Sequence, residues 1–389
     1  MSWLQVSPTR YERPTTGIEE YLYAAGNASA ALYNRQQYTL FSTLKVKLRL
    51  PSNIAALKHA WTQSRYEEPE LAATLEANGK TKVYEVPDEH TLHTWLASTF
   101  IISPASSADE IYRTGGSMNT TQATFYYLPK SFELVLHAPH WLIDGTGLLL
   151  FWDRFLSALV STPNNIVFGV ESARLNPTVH EMLSQTSLSP ENVSRATDLF
   201  YEYISSLLSI GPVSATGKTI PGACRNLEYR WSVSDTTAII KACKEKGNHT
   251  ITAALAQKLA FYYKTTIRYE PEKLEFNAAF GRIMAQVTQS AEFLAAPIPS
   301  DALVSSIGVV EGYLKREYSS TAGTRPAVVV QEYKMGMNVV LGRSQLSIYS
   351  FRDQLRVVYN FNEGYEEERL IQGYLDEMAW LLRGELLGV

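Results

Sequence analysis

Only two cysteines, Cys224 and Cys243, occur in 389 residues, and nothing near either has zinc-ligand spacing. A disulfide framework is therefore excluded, and a reducing compartment is the natural reading. An excess of charge of one sign is also missing: the formal net charge is −4, which gives no electrostatic reason to expect nucleic acid as a partner. No apolar run approaches the roughly 20 residues that span a bilayer. The opening residues Met1 to Pro8 lack the apolar core of a secretory signal. These absences predict a cytoplasmic, monomeric protein with no metal, no nucleic-acid partner and no membrane attachment. There is likewise no Gly-x-Ser-x-Gly elbow, no glycine-rich phosphate loop with Lys and no His-Glu-x-x-His, which removes three common catalytic designs. His90 and His93 stand far from any third metal ligand. Asp88-Glu89 and Glu366-Glu367-Glu368 read as helix starts, where carboxylates favour the positive end of the dipole.

What is present suits a packed enzyme-sized chain. Hydrophobic residues make up 45% and charged residues 19%, which argues against disorder, and the length predicts two domains. Tyr38 to Leu50 ends in strict apolar/polar alternation, the mark of a half-buried strand. Ile54 to Ser64 has helical spacing, with Leu57 and Trp61 on one face. Thr81–Val86 predicts a strand and Glu89–Phe100 a helix. Thr124–Leu128 and Phe132–Leu136 flank Pro129-Lys130 as a hairpin. Gly211 to Pro221, with two Pro and two Gly, is the expected linker between a domain over 1–210 and another over 222–389. The second half predicts a strand over Asn226–Val233 and helices over Ser234–Lys246 and Thr250–Thr265. Strands follow around Leu274–Phe280, Leu303–Leu314, Gln345–Phe351 and Leu355–Phe361, then a helix over Glu366–Arg383. The fold class expected is α+β, two layers in each of two similar halves.

The chemistry concentrates in His137-Ala-Pro-His140-Trp141-Leu-Ile-Asp144-Gly145-Thr-Gly147. A histidine directly after a strand, held by a turn, is equipped to deprotonate an alcohol or amine, because imidazole titrates near working pH. Asp144 can orient that imidazole or hold the turn. The turn role is favoured, since Gly145 permits a tight backbone and a short Asp side chain in such turns bonds locally or to a cation. Alternation puts His137 on the same strand face as Pro139, so it either faces the substrate or belongs to the core.

His140-Trp-Leu-Ile-Asp144-Gly145 resembles the active-site motif of the CoA-dependent acyltransferase superfamily. That group includes chloramphenicol acetyltransferase, plant BAHD enzymes, nonribosomal-peptide condensation domains and fungal trichothecene O-acetyltransferases. Trp3 through Arg10-Tyr-Glu-Arg13-Pro14, Trp61 to Ala72, His249 to Leu255 and Tyr359-Asn360 are similar to the fungal branch. The resemblance implies two chloramphenicol-acetyltransferase-like domains with a channel between them and His140 as general base. It implies an acyl-CoA co-substrate, no bound cofactor and a hydrophobic small-molecule acceptor, with a carrier-protein thioester as the alternative donor. It also implies that Asp144 is structural and pairs with an arginine of the second domain, for which Arg282 is the candidate. Trp141 and His137 are expected along the channel. The sequence departs from the group in two places: Pro139 replaces the first histidine of condensation domains, and the plant Asp-Phe-Gly-Trp-Gly signature is absent. Two other readings keep the same fold: a cyclase or isomerase acting without CoA, and a non-catalytic condensation-like binding domain. The intact His140 and Asp144 argue against the last.

Overall fold

The computed structural model describes residues 3–50, 53–115, 119–161, 165–178, 181, 189–206, 220–245, 283, 303–320, 325–342 and 344–387. The expected helix Thr250–Thr265 and strand Leu274–Phe280 lie outside the described residues, as does most of the expected linker. The chain forms two compact units. One comprises Met1–Thr186, Met284–Leu294 and Glu311–Asn338; the other comprises Ser187–Ile283, Ala295–Val310 and Val339–Val389. Helices and sheets are mixed in both, an α+β architecture.

In the first unit, β1 (Leu4–Gln5), β2 (Arg10–Pro14) and α1 (Gly17–Tyr33) precede β3 (Leu40–Leu48) and α2 (Asn53–Glu67). A 3₁₀ turn over Pro69–Ala72 leads to β4 (Thr74–Leu75) and β5 (Thr81–Glu85). Then come α3 (Glu89–Thr99), β6 (Phe100–Ile102), α4 (Ala108–Gly115), β7 (Thr124–Leu128), β8 (Glu133–Ala138) and α5 (Gly145–Val160). Strands β1, β2, β5 and β4 form a small sheet in that order. The second unit contributes β9 (Cys224–Arg230) and β10 (Leu303–Val309), after which β11 (Glu317–Tyr318) and β12 (Val328–Met337) return to the first. The large sheet there runs β11-β12-β3-β8-β7-β6. The expected division was contiguous, whereas Glu311–Asn338 belongs with the first unit because β12 pairs antiparallel with β3 from Leu48 to Leu40. Neither α1 nor β12 is announced by the periodicity of its sequence.

Strand parity decides what each face of this sheet meets. Phe41 stacks with His137 and meets Tyr112 of α4 edge-on. The next residue of β3, Ser42, points the other way and accepts a 2.8 Å hydrogen bond from Trp152 of α5. On that second face Trp61, Trp95, Phe125, Phe151, Trp152 and Phe155 form one aromatic cluster joining α2, α3 and α5 to β7. Trp61 and Trp152 are wholly buried. Burial of each large apolar side chain contributes about 1.5–3 kcal/mol, so this face anchors the start of α5, where the motif lies.

In the second unit the sheet order is β10-β13-β14-β9, with β13 at Gln345–Phe351 and β14 at Gln354–Asn362. Helices over Val233–Glu245 and Glu368–Leu387 supply Ile239, Cys243, Ile371, Leu375 and Leu382 to its core. A buried carboxyl, Glu366, sits beside this core, accepting from the Ser344 hydroxyl and, at 3.4 Å, from Tyr359. Burial pushes Glu366 up from 4.5 to about 7, against the two hydrogen bonds. The carboxyl therefore stays protonated in the fold at pH values where it ionises in the unfolded chain, and stability falls as pH rises from 4.5 to 7. Glu366→Gln cannot ionise and keeps an acceptor for Ser344. It is expected to leave the urea midpoint unchanged at pH 4.5 and to raise stability by roughly 1–3 kcal/mol at pH 8. Equal effects at both pH values would contradict this reading.

Candidate active site

Strand β8 ends at Ala138, and Pro139 to Leu142 form a tight turn closed by the Leu142 N–H donating to the Pro139 carbonyl at 3.0 Å. His140 and Trp141 are the two central residues of that turn. Asp144 then caps α5, its carboxylate accepting from the Gly147 N–H at 2.6 Å, while its exposed side chain also meets the positive end of the helix. Gly145 opens the helix against the Met335 side chain, and a Cβ on Gly147 would come within 2.9 Å of Ile143. The string His-x-x-x-Asp-Gly is thus a turn joined to a helix start, with Asp144 bonding locally. Arg282, the expected partner of Asp144, lies outside the described residues.

His140 is half-buried and lines a cavity of about 700 Å³. Burial lowers its affinity for a proton below the ordinary histidine value of 6.5, opposed weakly by the His140 and Ile143 carbonyls and the Asp144 charge. Nδ1 is buried with no hydrogen bond of normal geometry, so those carbonyls act as nearby dipoles rather than as acceptors. The imidazole is therefore neutral at pH 7, the form that accepts a proton.

Trp141, Leu142, Ile143, Leu150 and Phe151 give the cavity an apolar wall, completed by Ile18 and Leu22 of α1. Opposite in character is a network of four charges, the buried Arg13, Glu19 and Lys82 and the partly buried Glu70. Arg13 clamps Glu19 in a two-pronged pair at 2.7 and 2.9 Å. Lys82, 2% exposed, donates to Glu19 at 3.2 Å and to Glu70 at 2.5 Å. Arg154, at the same cavity, pairs with Glu68. Every cation on this wall is engaged by a carboxylate. Sequence reasoning assigned no role to these residues, although Arg13 and Glu70 fall inside the segments that carry the resemblance.

His137 does not line this cavity. It lies 2% exposed on the α4 side of the sheet, its ring 4.0 Å from that of Phe41, and its Nε2 has no hydrogen-bond partner. Its side chain thus lies on the sheet face opposite the one that Ser42 turns towards Trp152 of α5. Burial pushes His137 down to about 3, so it is neutral throughout the working range. His137→Phe is expected to keep the stacking on Phe41, to leave acyl transfer within about threefold and to change stability by no more than about 1 kcal/mol. Loss of activity in a folded His137→Phe protein would contradict that assignment.

Among the described residues no cluster of three or more His, Cys, Asp or Glu has the makings of a metal site, and no helix is long and apolar enough to cross a membrane.

No protein-family profile matches the chain. The Monascus ruber acetyltransferase pigO is 23% identical, with 99% of this chain and 98% of that protein aligned. The O-acetyltransferase pigM of the same fungus is 22% identical over 99% of this chain and 87% of its own length. Among solved structures, the trichothecene 15-O-acetyltransferase TRI3 of Fusarium sporotrichioides superposes with a TM-score of 0.77 at 16% identity, covering 98% of this chain and 97% of that one. The first condensation domain of the CDA synthetase superposes with a TM-score of 0.59 at 14% identity over 96% and 97% of the two chains. Along nearly its whole length the chain is thus similar to fungal acetyltransferases, and it shares the fold of the trichothecene 15-O-acetyltransferase and of a condensation domain.

Proposed function

We propose that this protein moves an acetyl group from acetyl-CoA to a hydroxyl of a neutral, largely apolar secondary metabolite, with His140 as general base. The observation that carries the reading is a neutral imidazole on the wall of a cavity about 700 Å³ in volume, of the size that encloses a small organic ligand. Nε2 takes the proton from the acceptor hydroxyl while the oxygen attacks the thioester carbonyl. The tetrahedral intermediate collapses with cleavage of the C–S bond, and the imidazolium returns its proton to the leaving thiolate. Both substrates are held at once, and no covalent enzyme intermediate forms. Asp144 and Gly145 act on the backbone, fixing where the turn ends and α5 begins.

The pairing of every cation on this wall supports a neutral acceptor. A carboxylate or phosphate placed here would find Arg13, Lys82 and Arg154 already paired with Glu19, Glu70 and Glu68, and it would face one further carboxylate, Asp144. The test is release of free CoA thiol from acetyl-CoA with matched acceptors, each a hydroxylated polycyclic compound with and without an added carboxylate. Turnover of the neutral members alone is expected. Preference for the anionic members would overturn the acceptor assignment, and thioester-independent conversion of an acceptor would favour the cyclase reading.

A further inference from the structure

His140 owes its position to its neighbours rather than to a partner of its own. Its Nδ1 has no hydrogen-bond partner among the described residues, so none of their carboxylates fixes the ring as in a catalytic triad. What is fixed is the turn. On one side Asp144 is tied to Gly147. On the other, Trp141 is buried, 7% exposed, and the Lys82 ammonium stands 5.6 Å from the centroid of its ring. That distance is within cation–π range, and the attraction is strongest where both partners are removed from water.

Lys82 itself cannot wander, because Glu19 and Glu70 hold it from two elements, α1 and the 3₁₀ turn. Glu70 is further anchored by the Asn176 N–H at 2.9 Å, and Glu19 by Arg13. Charged side chains withdrawn this far from water, 4% of Arg13, 2% of Lys82, 12% of Glu19 and 14% of Glu70 staying exposed, are costly to hold; apolar residues of similar volume would serve stability as well or better. Their arrangement makes sense as a rigid seat for the indole beside the base. We propose that Lys82 is a positioning residue for His140, acting through Trp141. This rests on the reading of His140 as the general base.

Three variants test it. Lys82→Met keeps the aliphatic stem and removes the cation. Lys82→Arg keeps a cation that stacks on an indole. The double variant Lys82→Met with Glu70→Gln removes one charge of each sign, so that the fold retains the Arg13–Glu19 pair and no new unpaired charge. The expected result is a fall in kcat of about tenfold or more in the double variant with KM within about twofold, since a misplaced base weakens chemistry more than binding. Lys82→Arg is expected to recover most of that loss. The second readout does not depend on turnover: the imidazole resonance of His140, assigned by its disappearance in His140→Gln, is expected to shift or broaden in the double variant and to return in Lys82→Arg. A folded double variant with wild-type kcat and an unmoved His140 signal would overturn the proposal. If the wild type releases no thiol with any acceptor, the acyl-transfer reading fails, and the resonance still decides whether Lys82 positions His140.

Discussion

Alanine at position 140 is expected to lower acceptor-dependent acetyl transfer by about 10²–10⁴-fold, the range that a positioned general base supplies. The side chain lies on the cavity wall in a turn closed by backbone, so its removal leaves the Pro139–Leu142 hydrogen bond and the Asp144 cap intact. Folding is therefore preserved, and the loss is one of chemistry. The wild-type pH profile gives an independent check. Burial holds His140 below the ordinary value of 6.5, and only the neutral imidazole accepts a proton. Thus kcat/KM should rise with pH through a midpoint below 6.5 and be level above it, and the residual rate of His140→Ala should lack that limb. A folded His140→Ala protein within a few-fold of wild type would remove His140 from the mechanism.

The largest stability effect is expected at Glu19. Its carboxylate accepts from both Arg13 nitrogens, from Lys82, and from the backbone and hydroxyl of Thr16 at the cap of α1. Glu19→Ala leaves two buried cations with one carboxylate between them and uncaps the helix. The expected loss is about 3–5 kcal/mol, as for a broken buried ion pair. Burial alone pushes the Glu19 carboxyl up, but the Arg13 hydrogen bonds and the Lys82 and Arg13 charges outweigh it and hold the group at about 2, against 4.5 in the unfolded chain. A depressed carboxyl stabilises the fold fully above 4.5, and that contribution disappears as pH falls from 4.5 towards 2. About 3 kcal/mol of acid sensitivity in this window should be present in wild type and absent from Glu19→Ala. Urea midpoints between pH 7 and pH 2.5 measure both quantities. Parallel acid limbs in the two proteins would show that Glu19 is not the titrating group.

The network explains why the sequence points to His140 but not to its surroundings. His140 and the Asp144-Gly145 helix start are contiguous, and each carries a local signal: a strand end, a turn residue, a cap, an apolar run. Arg13, Glu19, Glu70 and Lys82 carry no such signal. A lone charged residue reads as solvated, and its burial follows only when four separate elements bring opposite charges together. His137 shows the same limit. Strand parity put it on one face or the other, but which face looks towards α5 depends on where the helices pack.

Strand β12 was missed for a related reason. Its buried Tyr333, Met335 and Met337 alternate with Glu332, Lys334 and Gly336, but three successive valines at its start and a bulge between Val330 and Glu332 obscure the period, and its partner β3 lies far away in sequence. Helix α1 escaped because Tyr21 to Ala31 is rich in small residues, with Gly26 where the helix passes close to the Gln37 carbonyl. By contrast β3, β7, β8, α2 and α3 were legible, since their apolar spacing matches the faces they bury.

The most direct test of the account is mass-spectrometric detection of acetylated acceptor after incubation with acetyl-CoA, comparing wild type with folded His140→Ala at equal concentration. The account predicts product carrying one added acetyl group from the wild type, in step with thiol release, and almost none from the variant. Equal product from both proteins, or acceptor conversion that does not consume acetyl-CoA, would contradict it.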